Sequence, residues 1–229
     1  MKRIFAILLV FSLVLGIGPV FAASFDAHHA TAFMDIKFEC GCTSYGTGAM
    51  IGRYGLITAG HNLYCLDHGK PLKTCSFLFG AKSPNSGKYR YNGSFRFWSY
   101  DTFSYGYSSS NDIGYVIFPK PVGDSTGWYG YWVGSDNDLN MEFTNVYNYS
   151  DRARLQTLYT IQYVEDSNRI SMDEYLSYSE GGPVFFSYEG LEGPTVVAVY
   201  TSHTTSGRGV GRRLTSQIIN DMRADGAFN

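Results

Sequence analysis

Between residues 30 and 201 the chain is a succession of short apolar or alternating segments closed by Gly, Asn, Asp or Ser, and helical periodicity is nearly absent. The segments are residues 30–38, 46–51, 55–59, 88–98, 113–118, 142–149, 157–165, 183–188 and 195–201. Side chains alternate across a strand, so such pieces gain stability only by pairing and covering one face. Residues 113–118 are continuously apolar, which suits a strand covered on both faces. The 26 glycines and 19 tyrosines fit many strands joined by tight turns. The pattern predicts an all-β sandwich or barrel. Only the C-terminus departs from it: Leu214, Ile218, Ile219 and Met222 recur at helical spacing, with Thr215 or Ser216 as the cap, and predict a helix over 214–224.

Residues 1–22 read as a signal peptide. Lys2 and Arg3 precede an apolar run over residues 4–15, Gly16, Gly18 and Pro19 break it, and Val20-Phe21-Ala22 ends in a small residue. Residues 23–229 are then long enough for one large β-domain or two small halves sharing a core. The net charge is −2, with Lys+Arg 18 against Asp+Glu 20 and no block of one sign, which argues against a nucleic-acid or acidic-membrane partner.

Cys40, Cys42, Cys65 and Cys75 are the only cysteines. In an exported chain an even number reads as two disulfides, with three possible connectivities. Cys-x-Cys plus two distant cysteines lacks the usual paired zinc spacing, although His61 and His68 lie close by, so disulfides are expected and no metal.

Three segments hold the residue types that acyl transfer needs. Leu56-Ile57-Thr58-Ala59-Gly60-His61 presents an imidazole after a short strand, and His accepts and returns protons near neutral pH. Asn111-Asp112-Ile113-Gly114-Tyr115-Val116-Ile117-Phe118 opens a buried strand with a carboxylate, costly unless an imidazole N–H pairs with it. Ser177-Tyr178-Ser179-Glu180-Gly181-Gly182-Pro183 places a hydroxyl beside glycines that can turn amides toward an oxyanion.

The order His61, Asp112, Ser179 resembles the trypsin-like serine peptidase superfamily, and within it bacterial glutamyl endopeptidases. The stretch from Asp112 through Pro119-Lys120-Pro121 to Gly127-Trp128-Tyr129-Gly130, and the ending Gly209-Val210-Gly211-Arg212-Arg213-Leu214-Thr215 before a helix, carry the likeness. The resemblance implies a double β-barrel with approximate halves at 30–120 and 121–210, the C-terminal helix, and a site in the cleft between the halves. It implies a secreted serine endopeptidase with His61 as general base, Asp112 as orienting carboxylate and Ser179 as nucleophile. Thr201, Ser202 and His203 would line the substrate pocket, and Cys65 would join Cys40 or Cys42. The expected partners are protein or peptide substrates met by a bacterial monomer, with no cofactor, no nucleic acid and no membrane once the leader is removed. Arg208, Arg212 and Arg213 near the chain end read as solvated surface.

The nucleophile segment departs from the family's Gly-x-Ser-Gly-(Gly or Ser)-Pro. Counted back from Pro183 without a gap, Glu180 falls on the nucleophile's place; counted forward from Asp173, Ser179 does. The forward register expects Ser179 to face His61, a bulge before Gly181-Gly182 to absorb the added residue, and Glu180 to point into solvent at the cleft mouth. The backward register implies a catalytically inactive, extracellular binding protein on the same fold.

Overall fold

The first sheet is built from β1 (Thr31–Phe38), β2 (Thr43–Met50), β3 (Gly55–Thr58), β4 (Leu72–Phe79), β5 (Tyr89–Tyr91), β6 (Arg96–Ser99) and β7 (Gly114–Ile117). Its order is β5-β4-β1-β2-β3-β7-β6 and every pairing is antiparallel. The second holds β8 (Gly130–Tyr131), β9 (Phe143–Tyr149), β10 (Leu155–Val164), β11 (Arg169–Met172), β12 (Pro183–Phe186), β13 (Thr195–His203) and β14 (Gly209–Arg213). There β12 pairs with both β9 and β13, which closes a ring, while β8 adds to β13 in parallel. The architecture is all-β, one closed barrel beside one half-barrel, with a C-terminal helix. The computed structural model describes residues 26–81, 87–100, 110–150, 155–176, 180–186 and 193–229, so the leader expected over 1–22 and the serine at 179 lie outside the described residues.

β7 is buried at every position, as its unbroken apolar run requires. It lies between β3 and β6, and the Tyr115 hydroxyl reaches past the sheet to donate to Asp225 just after the final helix. That helix, α3, spans Ser216–Ala224, once the single-turn helices α1 (Gly123–Thr126) and α2 (Asp136–Leu139) are numbered before it. Thr215 is its cap, accepting from the Ile218 amide, and Ile218, Ile219 and Met222 sink into the first half's core. No helix among the described residues is long and apolar enough to cross a membrane.

Phe77, Phe118 and Tyr91 pack edge to face at the centre of that core, with Phe77 and Phe118 centroids 5.1 Å apart. The same core takes in Tyr129, Phe185, Val196 and Val199 of the second half, so the halves share apolar surface. The short strands β8 and β11 carry no clear signal in the sequence, and three further details differ from the sequence reading. Residues 88–98 form two strands, β5 and β6, rather than one. β4 was missed because Lys73 and Thr74 interrupt its apolar pattern. Arg212 and Arg213 are buried, not solvated, because β14 lies inside the barrel wall. The two terminal nitrogens of the Arg213 guanidinium donate there to Asp136 Oδ1 at 2.6 Å and to the carbonyls of Gly134 and Asp166.

Candidate active site

Strand register brings His61 and Asp112 together. Thr58, the last residue of β3, lies opposite Gly114, the first of β7. His61, three residues beyond Thr58, and Asp112, two before Gly114, therefore emerge at the same sheet edge. His61 occupies a one-turn 3-10 segment over Gly60–Asn62. Asp112 is fully buried and spends both oxygens on His61: the backbone N–H donates to Oδ1 at 2.9 Å and the ring Nδ1 to Oδ2 at 2.8 Å. Binding at Nδ1 fixes the tautomer and leaves Nε2 to exchange a proton. Burial alone would depress the His61 pKa, but the charge and hydrogen bond of Asp112, with the charge of Glu180, outweigh it and raise the pKa above its ordinary value.

Among the described residues, Glu180 faces Nε2, with its Oε2 3.8 Å away. This departs from the expectation of a solvated Glu180 at the cleft mouth. The reason lies in the backbone. The Glu180 carbonyl accepts from the Thr47 amide at 3.0 Å and from Asn62 Nδ2 at 2.8 Å. Gly181 donates to the Tyr200 carbonyl at 2.7 Å and Gly182 to Asn148 Oδ1 at 3.0 Å. Gly181 has φ +104°, and a Cβ there would sit 2.3 Å from the Thr47 carbonyl oxygen. The expected slack at Gly181-Gly182 is therefore absent, since both amides are committed. Asn62, Thr47 and Asn148 escaped the sequence reading because their partners lie far away in the chain.

The candidate pocket residues divide. Tyr200 pairs with the Gly181–Gly182 segment, so Thr201 follows it directly beside the site, at a register irregularity in β13. Its hydroxyl is buried and donates to the Val210 carbonyl at 3.2 Å. Ser202 is half-buried, and His203 is exposed with its ring stacked on Tyr175 at 4.7 Å.

The four cysteines are free thiols, which corrects the expectation of two disulfides. Cys75 sits in β4 opposite Ile36, inside the core, where burial drives its thiol pKa up. Cys40, Cys42 and Cys65 instead converge on one point with His68. Three sulfurs cannot pair among themselves without a remainder, and Cys75 stands apart from them. Proximity of the Cys40 sulfur, with burial and Cys65, pushes the Cys42 thiol up to about 11.

Solved structures superpose over most of the chain. A Glu endopeptidase matches with a TM-score of 0.73 at 15% identity, covering 89% of this chain and 93% of that one. A scabies mite inactivated protease paralogue matches with a TM-score of 0.64 at 13% identity, covering 89% and 98%. The fold is that of the trypsin-like serine proteases. No family model matches the sequence. Two curated relatives do: an extracellular metalloprotease of Bacillus subtilis, 24% identical over 86% of this chain, and a glutamyl endopeptidase of Bacillus licheniformis, 27% identical over 77%. The matches span 63% and 58% of those relatives' own lengths, less than two thirds of each.

Proposed function

We propose that this chain is an exported serine endopeptidase acting on protein or peptide substrates, with His61 as general base, Asp112 as orienting carboxylate and Ser179 as nucleophile. The observation that carries the reading is the His61–Asp112 pair, in which a fully buried carboxylate serves one imidazole through both oxygens. A buried charge costs several kcal/mol unless it is paired and hydrogen-bonded, and this arrangement fits a ring that must gain and lose a proton. Nε2 takes the Ser179 proton as the oxygen attacks the scissile carbonyl, then returns it to the leaving amine. Water hydrolyses the resulting acyl-enzyme by the same proton path. The names of both relatives agree with peptide-bond hydrolysis, although the Bacillus subtilis relative is named a metalloprotease, and on this proposal the substrate lies along Thr201, Ser202 and His203.

A second reading rests on Glu180. Its carboxylate faces Nε2 and its carbonyl is held by Thr47 and Asn62 of the first half, so the imidazole sits between two acids and favours its charged form. A charged ring is no base, and on this reading the chain binds peptides in the cleft without cutting them. Labelling with a phosphonofluoridate separates the two. Modification mapped to Ser179, and lost in His61→Ala, supports the endopeptidase. An unlabelled, folded protein that still binds unstructured polypeptide refutes it and leaves the binding protein.

A further inference from the structure

Cys40, Cys42, Cys65 and His68 each offer one ligand atom, and these four atoms all lie within 4.8 Å of one another. His68 Nδ1 is 3.5 Å from the sulfur of Cys42 and 3.5 Å from that of Cys65. A tetrahedral zinc with Zn–S of about 2.3 Å and Zn–N of about 2.0–2.1 Å sets its S···N edges at about 3.6 Å. Disulfide sulfurs stand about 2.05 Å apart, and a disulfide has no use for a third sulfur or an imidazole. We propose that Cys40, Cys42, Cys65 and His68 form a structural zinc site that fastens the β1–β2 turn to the loop following His61.

The backbone at both ends is shaped for convergence. Gly41, between the first two cysteines, has φ +91°, a conformation that costs glycine little. Its amide donates to the Phe38 carbonyl at 3.0 Å and the Phe38 amide to the Cys42 carbonyl at 2.9 Å, so the chain reverses and turns both side chains to one side. On the other loop the Gly69 amide donates to the Cys65 carbonyl and the Cys65 amide to the Lys70 carbonyl, both at 2.8 Å, which brings His68 over Cys65. Three thiolates and one imidazole form a closed, soft N/S set with no open position, the pattern of a structural rather than a catalytic zinc. Because the ligands come from two loops, metal binding free energy is available to the fold. Cys65 stands four residues after His61, so the metal would brace the turn that presents the candidate base.

The full chain is purified in zinc-containing buffer without chelator, and its metal is measured by native mass spectrometry and elemental analysis. The expected result is one zinc per chain, four titratable thiols after denaturation in chelator, and a melting temperature that falls when zinc is stripped from the folded protein. Cobalt replacement should give the intense thiolate charge-transfer and tetrahedral ligand-field bands of a three-sulfur, one-nitrogen site. Cys65→Ser should abolish stoichiometric zinc, while Cys75→Ser should retain it. Should Cys65→Ser not fold, His68→Cys tests the same point by keeping one zinc with a four-sulfur cobalt spectrum. A disulfide among Cys40, Cys42 and Cys65, zinc-free protein with free thiols, or zinc retained unchanged in Cys65→Ser would overturn the site. None of these readouts depends on whether the protein hydrolyses peptides.

Discussion

Replacing Glu180 by Gln removes one of the two charges flanking His61 while keeping the size of the side chain. At 3.8 Å and an effective dielectric constant of about 20, the ion pair would amount to about 4 kcal/mol. Solvent reaches both partners, whose side chains are 13% and 28% exposed. Screening reduces the attraction to about 1–1.5 kcal/mol, and one pKa unit corresponds to about 1.4 kcal/mol. Glu180→Gln should therefore lower the His61 pKa, read by NMR titration of the imidazole with the signal assigned through His61→Gln. Stability must follow the same sign. The raised pKa stabilises the folded protein below the unfolded-state histidine value, and that contribution is lost as pH rises through the folded value. Urea melts should place Glu180→Gln about 1 kcal/mol below the parent near about pH 5.5, with the gap closed by about pH 9. A His61 pKa that does not move would refute the inference that the Glu180 carboxylate acts on Nε2.

Asp112→Asn should leave the fold intact but favour the wrong ring tautomer, lowering kcat for peptide hydrolysis by about 10⁴-fold if the chain is an enzyme. Gly181→Ala should destabilise by about 1–3 kcal/mol from backbone strain alone, with more from the clash at the Thr47 carbonyl, measured by urea melts. Phe77→Ala, at the centre of the aromatic cluster, should cost about 3–5 kcal/mol, whereas Tyr159→Ala, 64% exposed and losing its stacking on Phe143, should cost no more than about 1.5 kcal/mol by the same assay.

What could be read from the sequence was local. The unbroken apolar run before Pro119 announces a doubly covered strand, and Thr215 with Ile218, Ile219 and Met222 announces a capped helix, because both signals depend on neighbours in the chain. β14 could not be read that way: Gly209-Val210-Gly211-Arg212-Arg213 looks solvated, and its burial depends on acceptors at Asp136, Gly134 and Asp166. His61 and Asp112 were legible as residue types in order, while their meeting required the Thr58–Gly114 register. The direction of Glu180 was illegible because Thr47 and Asn62 decide it, and they lie in the other half of the molecule. The cysteines misled for the same reason. Their number suggested pairs, whereas their convergence depends on one left-handed glycine and on the loop that swings His68 over Cys65.

The grip on the Glu180 carbonyl has a consequence for how chemistry at this position could change. Thr47 and Asn62 hold the peptide unit, not the side chain, so the scaffold at position 180 is indifferent to what projects from it. A short hydroxyl-bearing residue could stand there on the same backbone, with the same neighbours and the same imidazole in front of it. On the reading that puts Glu180 in the nucleophile's place, the difference between a cutting and a merely binding cleft is a single interchangeable part rather than a different machine.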